Sequence, residues 1–253
     1  MPATHAWPPR SAPRLFVDQP IAAGESVRIE GTQAHYLARV MRIAPGDAVI
    51  LCDDRTGEWA CEVIEAGKRD VLLNPAQRLR ERESVPDLWL CAALLKKDRF
   101  DLVLEKASEL GVAEIHPVLT RRCVADRLNP ERARKILTEA AEQCARTALP
   151  VLADPVKLDP LLADWPSDRV LFFADELGGV PAADAFVAER GKPAALLIGP
   201  EGGFDEAERA RIRAMPQARA ITLGPRILRG ETAAIAAIAT WMSLAGDWNI
   251  CVA

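Results

Sequence analysis

The chain has 253 residues, 49% of them hydrophobic and 27% charged, with a formal net charge of −4. That is an ordinary globular composition, long enough for one large domain or two smaller ones, and no apolar run approaches the roughly eighteen residues of a membrane span. Residues 1–9 lack the basic start and apolar core of an export signal, so residues 1–13 read as an extension ahead of the folded chain.

From 14 to about 79 the chain alternates strand-length apolar runs with turn signals. Runs at 14–17, 26–29, 48–52, 58–64 and 71–73 are separated by Ala-Gly-Glu, Pro-Gly-Asp, Arg-Thr-Gly and Gly-Lys, the pitch of a small β-barrel. Phe16 and Trp59 read as core packing. One helical interruption at 33–41 places Tyr36, Leu37 and Val40 on one side and leaves Arg39 and Arg42 to face elsewhere. Segment 77–86 is charged, lacks apolar periodicity and ends in proline, so it reads as a linker with a domain boundary near 80.

The second part opens on the continuous apolar run 88–95, a strand of the kind buried on both faces, followed by Lys96 and Lys97. Asp98 then caps a helix in which Phe100, Val103, Leu104, Ala107 and Leu110 recur at helical spacing, with Gly111 as its stop. A strand at 114–119 completes the strand, helix, strand order of a parallel sheet. Asn129-Pro130 begins another helix, running to about 147, with Ile136, Leu137, Ala140 and Cys144 as its apolar stripe and Gln143 and Arg146 on the other side. The apolar strand 170–174 empties into Asp-Glu-Leu-Gly-Gly at 175–179.

Charge is unevenly laid out: 22 Lys and Arg meet 22 Asp and Glu over 1–150, while 10 meet 14 over 151–253. Basic residues bunch at Arg39 and Arg42, at Lys96, Lys97 and Arg99, and at Arg121, Arg122 and Arg127. Each bunch is either a solvated mixed-charge face or a set of phosphate contacts, for which arginine forks are suited. The cysteines at 52, 61, 91, 123, 144 and 251 form no Cys-x-x-Cys pair, and the histidines are His5, His35 and His116. No disulfide framework or metal is expected, and reduced thiols in the cytoplasm are the default.

Two late segments share one design. Ala-Leu-Leu-Ile-Gly-Pro-Glu-Gly-Gly-Phe-Asp at 195–205 and Ile-Thr-Leu-Gly-Pro-Arg-Ile-Leu-Arg-Gly-Glu-Thr at 221–232 are short apolar runs that end in Gly-Pro. Each reads as a buried strand emptying into a tight loop at the sheet edge, where α/β folds bind ligands. After the first, Asp205 caps a helix and Glu208 completes a capping box. After the second, Thr232 opens a helix that is apolar or small on nearly every side, as suits a core or a subunit interface. No lysine follows the glycines and no Gly-x-Gly-x-x-Gly is present, which disfavours an ATP or dinucleotide fold.

Together and in this order, the stretches 197–204 and 223–233 resemble the RsmE family of ribosomal RNA uridine N3-methyltransferases, of the SPOUT class. The resemblance spans about 14–245 and takes in 96–112, Gln143 with Arg146, Arg14 with Phe16, and 35–42. It implies an α/β fold, with a C-terminal SPOUT domain over 81–253 whose parallel sheet carries a trefoil knot, and a small N-terminal PUA-like β-barrel over 14–80 that holds RNA. It further implies that three strand-end loops surround S-adenosylmethionine, with contacts from Leu197, Gly199, Pro200, Glu201, Gly202, Leu223, Gly224, Ile227, Leu228 and Thr232. RNA contacts are implied at Arg14, Arg39, Arg42, Lys96, Lys97, Arg99, Arg121, Arg122 and Arg146. The chain departs from many relatives at Gly230, where they carry threonine.

The implied reaction is methylation of a specific uridine at N3 in 16S ribosomal RNA of the small subunit, a displacement that needs no metal. N3 bears a proton, so an enzyme must remove it or stabilise the ring anion. Arg229 suits the ring oxygens, or instead pairs with Glu231 at the start of the helix. Glu201 and Glu231 either take the proton or orient the loops. Ribose 2′-O-methylation and a non-catalytic RNA-binding or ribosome-assembly role are the rival functions. The apolar helix and the shared sites of the class imply a homodimer.

Overall fold

The computed structural model describes residues 7–249, which divide into two compact units. One comprises the residues up to Ser84 together with Ala141–Leu149, and the other Val85–Ala140 together with the chain from Pro150. Cys251 and His5 lie outside the described residues.

In the first unit, β1 (Arg14–Phe16) and β2 (Val27–Glu30) lead into α1 (Gly31–His35), which continues as a π-helical turn at Tyr36–Val40. Then come β3 (Ala48–Cys52), β4 (Glu58–Ala66) and β5 (Asp70–Arg80). The sheet order is β1-β3-β4-β5-β2, with β1 parallel to β3 and the other pairs antiparallel. The outer strands β1 and β2 do not pair with each other, so the expected barrel takes the form of a half-barrel. Val27, Ile29, Leu37, Val49, Leu51, Val63, Val71 and Leu73 fill its core, in the alternation a one-sided sheet demands.

Two local expectations change here. Bulges between β4 and β5 shift the register next to Pro75. A proline has no N–H for the ladder, and a bulge is where a strand tolerates one, so residues 77–80, read above as linker, continue β5. In the π turn, Met41 N donates to Tyr36 O at 3.0 Å. The extra residue in the turn changes the helical phase: Leu37 is fully buried, while Tyr36 and Val40 are 38% and 62% exposed.

The second unit contains β6 (Leu88–Ala93), α2 (Lys97–Glu109), β7 (Glu114–Leu119) and most of α3 (Pro130–Cys144), whose residues from Ala141 onward belong to the first unit. It continues with β8 (Val151–Leu152), β9 (Val156–Lys157), α4 (Leu158–Ala163), β10 (Val170–Ala174), β11 (Val180–Pro181) and α5 (Ala182–Ala188). The last elements are β12 (Ala194–Ile198), α6 (Glu206–Arg213), β13 (Ala218–Thr222) and α7 (Gly230–Leu244). The strands form one parallel sheet in the order β11-β13-β10-β12-β6-β7-β8, with β9 also on β7.

Each face of that sheet carries a core. Leu88, Leu90, Phe172, Leu196 and Ile198 pack with α2, α5 and α7, whereas Cys91, Leu171, Phe173 and Leu197 pack with α4 and α6. This two-sided burial is why the strands are apolar at every position. After β13, which neighbours β10, the chain crosses to α7, which packs against α2, α5, β12 and β6. Residues 223–229 therefore pass the C-terminal ends of the central strands, as a threaded C-terminal half requires. No helix among the described residues is long and apolar enough to cross a membrane.

Candidate active site

The ends of β10, β12 and β13 open into one cavity of ≈ 260 Å³. Its walls are Ala174, Asp175 and Glu176 from the first loop, Ile198 to Gly203 from the second, Ile221 to Leu228 from the third, and Gly230 and Ala233 of α7. Apolar side chains and glycine backbone dominate, with a few charged groups at the rim.

The second loop owes its shape to its glycines. Gly203 N donates to Pro200 O at 2.9 Å, closing the turn, and Gly203 sits at φ +65°, where a side chain would be strained. Gly199 lies against the buried Phe204 ring, which a Cβ there would approach to 3.1 Å. Beyond the turn the expected capping box is present: Glu208 N donates to Asp205 Oδ1 at 2.7 Å and Asp205 N to Glu208 Oε2 at 3.1 Å.

Arg121 and Arg122 fasten this loop from outside. Arg121 N donates to Glu208 Oε1 at 2.8 Å, its guanidinium to Asp205 Oδ2 at 2.9 Å, and Arg122 Nη1 to Gly202 O at 2.7 Å. The Glu208 backbone N–H and then Arg121 hold the Asp205 carboxyl below the usual carboxylate range. The first loop is fastened from α6. Asp175, 4% exposed, accepts from Arg209 Nε at 3.0 Å, Arg213 Nη2 at 2.7 Å and Leu177 N at 3.1 Å. Burial alone would raise the Asp175 pKa, but the bonds from Arg213, Leu177 and Arg209 outweigh it and leave it lowered.

Gly199, Pro200, Glu201, Gly202, Leu223, Gly224, Ile227 and Leu228 all line the cavity. Leu197 does not: strand alternation turns it to the opposite face, into the core with Phe173 and Phe204, and Ile198 faces the cavity in its place. Thr232 is exposed on α7, outside the lining. Of the three candidate catalytic residues only Glu201 lines the cavity. Arg229 is exposed at the N-terminal cap position of α7, and Glu231, 4% exposed, accepts from Arg99 Nη1 at 2.7 Å. Arg226, whose role the motif alone did not suggest, lines the cavity, as does Glu176.

The basic residues separate in the same way. Lys96 and Lys97 are exposed at the start of α2, and Arg39 and Arg42 are exposed with no ion-pair partner among the described residues. Arg14 is drawn to Glu58, which is 3% exposed and also paired with Arg80. Arg146 does not sit on a solvated helix face. The helix stops at Cys144, Ala145 turns at φ +62°, and Arg146 is 5% exposed beside Glu83.

A parallel sheet whose three strand-end loops enclose a cavity follows a small β unit, and the family models that match both parts place the chain among the RNA methyltransferases. Residues 81–242 match the family description "RNA methyltransferase domain" and residues 29–75 match "RNA methyltransferase PUA domain". The chain belongs to the ribosomal RNA small subunit methyltransferase E family. It is 31% identical to the Bacillus subtilis member over 89% of this chain and 94% of that one. It is 27% identical to the Rickettsia conorii member over 89% and 93%. A crystal structure of the Neisseria gonorrhoeae member bound to S-adenosyl methionine superposes with a TM-score of 0.86 at 27% identity, covering 94% of this chain and 100% of that chain. A putative methyltransferase from Legionella pneumophila with bound cofactor SAM gives 0.82 at 27%, covering 93% and 99%.

Proposed function

We propose that the chain transfers a methyl group from S-adenosylmethionine to N3 of a uridine in 16S ribosomal RNA. The observation that carries this reading is the cavity formed by the three strand-end loops, in a chain whose relatives of the same length include proteins with that donor bound. The cavity suits the donor. Apolar walls from Ile198, Ile221, Leu223 and Leu228 and close glycine backbone fit a flat adenine that hydrogen-bonds at its edge. When bound, the donor supplies a methyl group on a sulfonium.

The chain's own residues do the rest. Glu201 lines the cavity together with Asp175 and Glu176, and, with Asp175 and Glu176 both tied to arginines of α6, it is the one assigned to take the N3 proton. Arg226, which lines the cavity, or Arg229, exposed between the lining residues Leu228 and Gly230, offers a guanidinium to the uracil oxygens as charge develops on the ring. Lys96, Lys97, Arg39 and Arg42 present free positive charge for phosphates. Residues 14–80 act as the RNA-holding domain and 81–253 as the transferase domain.

The protein works as a homodimer in the cytoplasm, on RNA within the small ribosomal subunit. Ile235, Ala236, Ala239 and Thr240 of α7 are only partly buried in the single chain, and Ile227 is 90% exposed, which leaves an apolar strip for a second copy. Light scattering that finds a monomer at micromolar concentration refutes the dimer. The activity is tested by incubating the purified protein with methyl-labelled donor and small subunits from cells lacking the gene, then analysing nucleosides by mass spectrometry. Label in 3-methyluridine is expected; label in a 2′-O-methyl nucleoside, or none, overturns the assignment.

A further inference from the structure

The first loop carries a carboxylate that the reaction described above does not use. Glu176 lines the cavity with its side chain 34% exposed, and its Oε1 is held by Arg209 Nη2. Arg209 is itself 13% exposed and holds Asp175 Oδ1 through Nε at 3.0 Å, so one guanidinium bridges two successive acids of the loop. Gly203 closes the other side, since a Cβ there would collide with Glu176 Oε1. The carboxylate is therefore fixed between α6 and the Gly-Pro-Glu-Gly-Gly turn, and among the described residues Oε2 has no hydrogen-bond partner.

Charge decides what that oxygen is for. Asp175 and Glu176 together are balanced by Arg209 and Arg213. A balanced carboxylate gains little from a cation but keeps its lone pairs for neutral donors. A nucleoside's neutral donors are its exocyclic amine and its ribose hydroxyls. An acid in the loop after a parallel strand is well placed for the hydroxyl pair, as in other α/β nucleotide sites.

Resting on the S-adenosylmethionine reading, we propose that Glu176 Oε2 accepts the ribose hydroxyls of the methyl donor, and that Arg209 is the positioning residue that presents it. The chemistry is recognition alone, with no bond made or broken by Glu176.

The test is calorimetry with S-adenosylhomocysteine, its 2′-deoxy and 3′-deoxy analogues, and 5′-methylthioadenosine, which keeps the ribose but lacks the amino-acid end. Glu176→Ala is expected to weaken S-adenosylhomocysteine about tenfold, as losing a hydrogen bond to a charged group does. At least one deoxy analogue should cost the wild type a similar factor and Glu176→Ala almost nothing, because the two changes remove the same contact. Methylthioadenosine should weaken with the variant as well, and Glu176→Gln, which keeps an acceptor oxygen, should fall between. Thermal unfolding of Glu176→Ala should stay near wild type, since Asp175 keeps both arginines. Unchanged affinity, penalties that multiply, or a loss for S-adenosylhomocysteine but not methylthioadenosine would each overturn the assignment. Wild-type protein that takes up no S-adenosylhomocysteine would overturn the methyl-donor reading with it.

Discussion

Glu201 and Glu231 look equivalent in the sequence, and the structure predicts that removing their charges has opposite consequences. The Glu231 side chain is 5% exposed and accepts from Arg99 Nη1 at 2.7 Å, joining α7 to α2. In Glu231→Gln the ion pair becomes a hydrogen bond from the guanidinium to a neutral amide oxygen, and a negative charge leaves the first turn of α7. Bonds to charged groups contribute roughly 1.5–3 kcal/mol, and Arg99 is 45% exposed and partly screened. The expected loss is therefore about 1–2 kcal/mol, or about 2–4 °C in Tm per kcal/mol for a chain of this size. Because Gly230 and Ala233 line the cavity, the donor affinity should drop a few-fold. The single-turnover rate at saturating donor should stay within about threefold of wild type. Glu201→Gln should do the reverse, leaving Tm unchanged and slowing transfer by about a hundredfold or more, the scale of a lost proton acceptor. Urea unfolding and single-turnover methyl transfer on the same preparations measure both. Glu231→Gln that keeps its stability and loses transfer, with Glu201→Gln still active, would refute the division of labour.

Three further outcomes are expected. Glu58 is pulled up by burial but held low by hydrogen bonds from Arg80 and Arg14, below its usual value of 4.5, so its contribution to stability is complete above that pH and lost as pH falls through the lowered value; in Glu58→Gln, acid titrations of urea stability should lose this part of the slope and start about 1–2 kcal/mol lower at neutral pH. Burial lowers the His116 pKa from 6.5 more than Glu114 raises it, so stability should decline as pH falls below 6.5, and His116→Asn should flatten that decline. Gly230→Thr, the residue the family resemblance implies there, would bring a Cβ to 3.0 Å from the buried Leu95 side chain; without a compensating change the crowding should cost about 1 kcal/mol in urea unfolding, and a more stable variant would show that Leu95 yields freely.

Much of the architecture follows from signals that act over a few residues. An apolar run ending in Gly-Pro has one reading wherever it sits, and Asp205 with Glu208 forms its capping box from a spacing of three. Hence the parallel sheet, the loops at its edge and the helix after each were legible along the chain. The fold departs from the local pattern where that pattern is interrupted. The π turn moves Tyr36 and Val40 outward, the bulges at Pro75 prolong β5 through residues 77–80, and Ala145 ends the helix before Arg146.

The roles of charged side chains were a different matter. Arg99 meets Glu231 across 132 positions, Arg14 meets Glu58 across 44, and Arg209 meets Glu176 across 33. Composition says that such groups exist, but an ion pair depends on which distant segments the fold returns to the same place. The sequence by itself therefore determined the elements, the cavity-forming loops and the kind of chemistry they suit. Only the tertiary structure decided that Glu201 and Arg226 face the cavity, that Glu231 and Arg146 are held elsewhere, and that Glu176 has an oxygen left to offer. Backbone preference is settled within a turn or two of chain, whereas the surroundings of a charge are settled by the whole fold.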